Sequence, residues 1–256
     1  LALTQLVLGQ AALALLTVAY CLYNGWDGMK QFRKSTRSAN HQLLHFGKYT
    51  TFTLIGSNLL RNADTLIISL SPLGAAAVAL YSIPLKLTEL QQIPLRSFVA
   101  TAFPKMSKAS IEHQTTKVKN LFYTYSGAMF LLFIPFSLVP FIFAEFFVLM
   151  LGGSQYLATD LVTGGNAVVI MQIFAIYGML LPIDRMTGVG LDSINQPQKN
   201  FIKVMIMVAT NVIADLVAVF IFGSLELVAA GSVLFTILGL VIGYKFLDNH
   251  LSLNVI

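Results

Sequence analysis

Charge is scarce in this chain. Of 256 residues only 27 are charged, 11%, against roughly a quarter in soluble domains. A chain with 56% hydrophobic residues and a mean hydropathy of +0.76 belongs in a bilayer. Cysteine is almost absent, and Cys21, in an apolar run, has no intrachain partner for a disulfide. The four histidines (His41, His45, His113 and His250) lie in or beside expected loops and show no metal-ligand spacing. No nucleophile–histidine pair and no phosphate-cradling glycine loop is present, so neither enzyme chemistry nor a cofactor is indicated. The net charge of +5 does not mark a nucleic-acid partner, because most Lys and Arg fall in short stretches between apolar segments. No charged leader followed by a small-residue cleavage site precedes the apolar run at Leu1. The chain therefore reads as a piece of a longer protein whose beginning is missing.

What is present is a series of apolar segments. A hydrocarbon core about 30 Å thick needs about 20 apolar helical residues, so this length admits six to eight crossings and no sizeable soluble domain. The reading is an all-α membrane protein with seven transmembrane helices. The first crossing is 1–24, and 25–45 is a basic linker or interfacial helix. Crossings follow at about 47–70, 75–103, 121–141, 161–188, 201–222 and 227–247. Residues 105–119 and 191–200 read as loops, and 142–160 as an outer re-entrant or interfacial piece. Pro84 and Pro94 should kink the third crossing, freeing carbonyls that neighbours or water must satisfy.

The basic residues orient the helices. Lys30, Arg33, Lys34, Arg37, Lys48, Lys105, Lys108, Lys117, Lys119, Lys199, Lys203 and Lys245 all fall on one side, and the opposite loops have none. Positive charge collects on the cytoplasmic side, so the amino end is expected outside and the carboxyl end in the cytoplasm.

Four basic residues, Arg61, Lys86, Arg96 and Arg185, sit inside the apolar segments. An ionisable group at that depth costs about 3 kcal/mol on insertion scales and usually faces a bundle interior or a wet cavity. Thr50, Thr53, Ser57, Arg61 and Asp64 follow at steps of three and four, as do Ser82, Lys86, Glu89, Gln92 and Arg96. Such spacing stacks side chains on one helix face, giving two polar stripes that line a shared interior. Arg61–Asp64 and Lys86–Glu89 are also spaced to neutralise themselves and merely lock helices together. Arg96 has no acid three or four positions away and is the best candidate for binding an anion. Arg185 either lines the cavity or snorkels to the interface. Asp184, beside it, points elsewhere. Asn211 and Asp215 form an i, i+4 pair that either joins helices by hydrogen bonds or, with Asp64, binds a coupling cation. With Asp64, Glu89, Asp184 and Asp215 opposing the four bases, the interior reads as mixed in sign.

The run from Asp64 through SPLGAAAVALYS, Lys86-Leu87 and Ala102-Phe103-Pro104 resembles the bacterial polysaccharide-biosynthesis membrane proteins. These are lipid-linked oligosaccharide flippases of the multidrug/oligosaccharidyl-lipid/polysaccharide exporter superfamily. Asp64, Leu73-Gly74, Tyr81 and Phe103-Pro104 follow that family's order. Gly153-Ser-Gln-Tyr156, the GLDSINQPQKN stretch from Gly190, Asn211 and Gly223 continue it. The resemblance covers about residues 46–245. It implies two six-helix lobes facing across a cavity, with 1–24 the last helix of the first lobe, 25–45 the linker and 46–256 the second lobe. It also implies movement of an undecaprenyl-pyrophosphate-linked oligosaccharide, an O-antigen or exopolysaccharide precursor, across the inner membrane by alternating access. The implied partners are that substrate, the bilayer and polysaccharide assembly proteins. Arg61, Lys86, Arg96 and Arg185 become candidates for steering the pyrophosphate, with Asp64 and Glu89 beside them. A drug exporter coupled to a cation through Asp64 and Asp215 is the second reading. A membrane polymerase or glycosyltransferase is the third, disfavoured because no loop exceeds about 20 residues.

Overall fold

A computed structural model describes residues 2–26, 36–157 and 165–253, and the described chain is all-α. In order, the helices are α1 Ala2–Tyr23, α2 Arg37–Ser69, α3 Gly74–Ile111 and α4 Thr115–Ile142, then α5 Ala144–Gly152, α6 Ala167–Ser193, α7 Pro197–Val217 and α8 Leu225–Leu251. A single 3-10 turn, Ser154–Tyr156, follows α5, and one π-helical turn, Ala218–Phe222, ends α7.

The chain divides into two compact units, residues 1–47 and 48–256. The first holds α1, apolar from Val7 to Tyr23, and the opening turns of α2. Thr36 starts α2 by accepting a bond from the Ala39 N–H at 3.2 Å, so residues 37–45 of the expected linker are helical. Its bases Lys30, Arg33 and Lys34 lie outside the described residues, as do Asp160 and the expected start of the fifth crossing.

Among the described residues, four helices are long and apolar enough to cross a membrane by length and composition: α4, α6, α7 with its π turn, and α8. The seven expected crossings included α2 and α3, whose charged stripes hold them below that apolar threshold. Length is not what they lack. At 1.5 Å per residue, the 33 residues of α2 span about 50 Å and the 38 of α3 about 57 Å.

That excess length corrects the expected loop at 105–119. Lys105 and Lys108 ride on the last turns of α3, and Lys117 and Lys119 on the first turns of α4. Backbone bonds within a helix need no lipid, so a helix longer than the hydrocarbon core simply continues. The expected loop 191–200 shrinks likewise to 194–196, because Pro197 enters at the start of α7, where its missing N–H costs nothing. Outside the crossings, α5 and its 3-10 turn form the short piece expected at 142–160. Gly223 makes the tight turn before α8, with φ +61° that other residues resist.

Two apolar clusters sit at opposite ends of the second unit. One gathers Ile68, Tyr81, Val148, Phe174 and Leu225. The other gathers Met106, Phe122, Phe133, Leu191 and Leu247. Sequence position explains the division: in antiparallel helices, the end of one lies beside the start of the next.

The prolines leave a visible repair. Pro140 in α4 cannot donate to the Phe136 carbonyl, four residues earlier. The Gln91 side chain of α3, fully buried, donates to that carbonyl at 3.2 Å. Gly178 of α6 makes the room, since a Cβ there would lie 2.2 Å from Gln91 Oε1. Adding one methyl, G178A, must push Gln91 off Phe136, and overpacking of this kind costs about 1–3 kcal/mol. A lowered thermal midpoint of the purified protein in detergent is the expected result. An unchanged midpoint would show that Gln91 is not held there.

Candidate functional site

Between the two apolar clusters lies a cavity of about 540 Å³. The α2 stripe contributes Ser57, Arg61 and Asp64, and the α3 stripe contributes Gln92 and Arg96. On the other walls, α6 brings Tyr177, Asp184 and Arg185, while α8 brings Ser232 and Thr236. The two stripes thus share one space, but not every member of them reaches it. Lys86 is exposed and, like Glu89, is not part of the cavity wall.

Arg61 and Asp64 do not neutralise each other. The Arg61 guanidinium turns to Glu89 on α3 at 3.6 Å, and Lys86 meets the same carboxylate at 2.9 Å. Two bases therefore share one acid in a half-exposed cluster, where such pairs are worth little in stability. Asp64 turns inward and is 5% exposed. The Tyr81 hydroxyl and Ser232 Oγ donate to its Oδ2, the latter at 3.3 Å, and Asn211 Nδ2 donates to its Oδ1 at 3.1 Å. The same Asn211 nitrogen donates to Asp215 Oδ2 at 3.3 Å. One carboxylate thus ties together α2, α3, α7 and α8. Asp215 Oδ1 and Asn211 Oδ1 are buried without a hydrogen-bond partner among the described residues.

Lys203 corrects the charge map. At the start of the expected crossing 201–222 it counts among the cytoplasmic-side bases, yet its side chain is 2% exposed. Its Nζ donates to Asp184 Oδ1 at 2.9 Å, to the Asp184 carbonyl at 3.1 Å and to Thr187 Oγ1 at 3.0 Å. An ammonium has three donors, and all three are used. One turn along the same α6–α7 seam, Asn200 Nδ2 donates to Asp192 at 3.0 Å. Space for the seam comes from α8, where a Cβ at Gly239 would lie 2.8 Å from Asp184 Oδ1.

This pairing decides which charged groups at the cavity have partners. Its acids are spoken for: Asp184 by Lys203, and Asp64 by hydrogen bonds from three helices. Glu89, off the wall, takes Arg61. Arg96 and Arg185 have no ion-pair partner within 4 Å among the described residues, and both line the space. The cavity wall keeps the expected mixture of signs, Asp64 and Asp184 beside Arg61, Arg96 and Arg185, with the Arg96 and Arg185 forks held by no carboxylate within 4 Å among the described residues. A guanidinium keeps its charge at any relevant pH and offers a bidentate fork to a phosphate or carboxylate. Among the described residues, no group of three His, Cys, Asp or Glu side chains is placed to hold a metal.

Sequence reasoning passed over Lys203, Asp192, Asn200 and Ser232. The first three carried a signal. In an antiparallel hairpin the end of one helix lies beside the start of the next, and 184/203 and 192/200 straddle the turn at 194–196, each within about three residues of equal distance from its centre. Ser232 is one serine in an apolar helix and carried none.

Removing one partner of a buried ion pair costs about 3–5 kcal/mol, because the other charge stays buried. Lys203→Met should therefore strongly reduce the yield of folded, detergent-stable protein. The double variant K203M/D184N, which buries no charge, should recover most of it. Normal yield and stability of the single variant would remove the pair from the structural core.

Among solved structures, the chain is similar to a multidrug resistance MATE family transporter of the MOP superfamily in its inward-facing conformation. The TM-score is 0.61 at 14% identity, over 86% of this chain and 51% of that one. The fold is thus shared, and this chain spans about half the length of that transporter. No curated protein matches. Residues 2–160 match the family described as polysaccharide biosynthesis protein. With its apolar helices and its transporter fold, this multi-pass membrane chain belongs to the polysaccharide biosynthesis protein family.

Proposed function

We propose that this protein moves a lipid-linked oligosaccharide across the bacterial inner membrane. The cargo is an undecaprenyl-pyrophosphate carrier loaded with an O-antigen or exopolysaccharide unit. Residues 46–256 act as one six-helix lobe, residues 25–45 as the linker and residues 1–24 as the last helix of the first lobe. The chain crosses seven times, α2 and α3 included, and its carboxyl end is cytoplasmic. The single observation that carries the reading is the pair of guanidiniums without an ion-pair partner within 4 Å among the described residues, Arg96 and Arg185, in a 540 Å³ cavity. Family membership and the exporter fold support it. A pyrophosphate that leaves water must exchange its hydration for fixed donors, and these two arginines supply them at membrane depth. Arg61, held by Glu89, guides the headgroup at the rim. Lys86 and Glu89 act from outside the wall, while the lipid tail stays in the bilayer. Rocking of the lobes exposes the cavity to one leaflet and then the other. No chemical step is involved, and the protein is not an enzyme.

A second reading is favoured by the network around Asp64. Two buried carboxylates bridged by one amide, with an unpartnered oxygen on Asp215, make an acidic centre for a coupling cation in a drug exporter. Drug resistance gained on expression, with unchanged surface glycan, would favour that reading.

The test is complementation of a flippase-null strain by the full-length protein. Surface polysaccharide should return, and the accumulated lipid-linked precursor should fall. Arg96→Ala should abolish this export at normal membrane levels of the protein. Failure of the unaltered protein to relieve the precursor would defeat the proposal, and loss of folded R96A protein would return Arg96 to a structural role.

A further inference from the structure

The main cavity has an annex of about 170 Å³ with a different chemistry. The two spaces share Ser57, Asp184 and Arg185, so they are contiguous. Neither Arg61 nor Arg96 reaches the annex. Its polar wall is Thr53 and Ser57 from α2, Asp184 and Asp192 from α6, and Asn200 from α7, with the Phe103 ring closing one side.

Charge cancels there. Asp184 and Asp192 are offset by Lys203 and Arg185, all four on the annex wall. A free phosphate or a free cation gains nothing from a wall of zero net charge. Hydrogen-bonding capacity does not cancel. Lys203 has spent all three donors on the protein, and Asn200 Nδ2 is given to Asp192 Oδ2. One carboxylate oxygen on each of Asp184 and Asp192 is left as an acceptor. Thr53 Oγ1 is buried with no partner among the described residues, and the Arg185 fork is unpaired. Acceptors and donors therefore alternate around a small neutral space. That arrangement fits a ligand whose every polar group both donates and accepts, which is the chemistry of sugar hydroxyls. Phe103 offers an apolar face for the C–H side of a ring. At about 30 Å³ per water the volume equals about six waters, room for one sugar ring and not for a chain of them.

We infer that the annex binds the sugar ring next to the pyrophosphate, its hydroxyls donating to Asp184 and Asp192 and accepting from Thr53 and Arg185. This rests on the flippase reading and adds to it a division of labour: the large cavity takes the anion, and the annex takes the first sugar. Arg185, on both walls, spans the junction.

The experiment measures binding of two probes to the purified full-length protein: undecaprenyl pyrophosphate alone, and the same lipid bearing one N-acetylhexosamine. The sugar-bearing lipid should bind about tenfold tighter, the gain expected of one or two added hydrogen bonds. Asp192→Asn keeps an oxygen for Asn200 and so preserves the seam, yet lacks the free carboxylate oxygen. Thr53→Val keeps the shape and lacks the hydroxyl. Each should erase the sugar's advantage, read as the ratio of the two probes' affinities, and Thr53→Val, which changes no charge, should do so while the bare lipid binds as before. Equal binding of the two probes to the unaltered protein, or an advantage that survives both substitutions, would overturn the annex and leave the flippase reading standing. Failure of both probes to bind would overturn the reading itself.

Discussion

The buried ion pair between Lys203 and Asp184 is the constraint on which the rest of the site depends. A charge at membrane depth has to be matched inside the bundle, because lipid offers it nothing. Here the match is complete: three donors, three acceptors, and a side chain from α7 fixed onto α6. The pair neutralises Asp184, the acid next to Arg185 on α6. Buried pairs are weak sources of stability, so its value lies in the electrostatics of the space beside it. Arg185 keeps its fork free of an ion pair because the acid beside it has its own base, not because bases are numerous.

Asp64 solves the same problem without a base. Hydroxyl and amide donors from α3, α7 and α8 converge on a carboxylate from α2. A group shared by four helices is sensitive to any relative movement of them. Below it the cavity opens, and above it the apolar cluster around Tyr81 and Phe174 closes one end of the bundle. The polar layer is thereby held between two dry ones, where its hydrogen bonds are not contested by bulk water. In the same way Gln91 accounts for the Phe136 carbonyl that Pro140 strands. The Phe136 carbonyl and the Asp64 carboxylate are thus both satisfied across helices, as a bilayer requires.

Much of this was legible in residue order. Low charge and long apolar runs impose a helical membrane protein, and the steps of three and four in the α2 and α3 stripes place Arg61, Asp64, Gln92 and Arg96 on inward faces. Those four do line one cavity. Helix ends were less legible. The helix at Lys105 and Lys108 continues past the apolar stretch, because hydropathy marks where lipid stops and not where hydrogen bonding stops.

Sequence by itself determined the solvent, the helical class, the polar faces and the lack of any acid three or four positions from Arg96. Only the tertiary structure decided which charges cancel. Spacing along one helix paired Arg61 with Asp64, but Glu89 on the neighbouring helix took the arginine, and Tyr81, Asn211 and Ser232 took the aspartate. It also moved Lys203 from the cytoplasmic-side bases to the core. The reason is physical: a side chain's partner is set by depth and facing across helices, and those are properties of the packed bundle that no single helix contains.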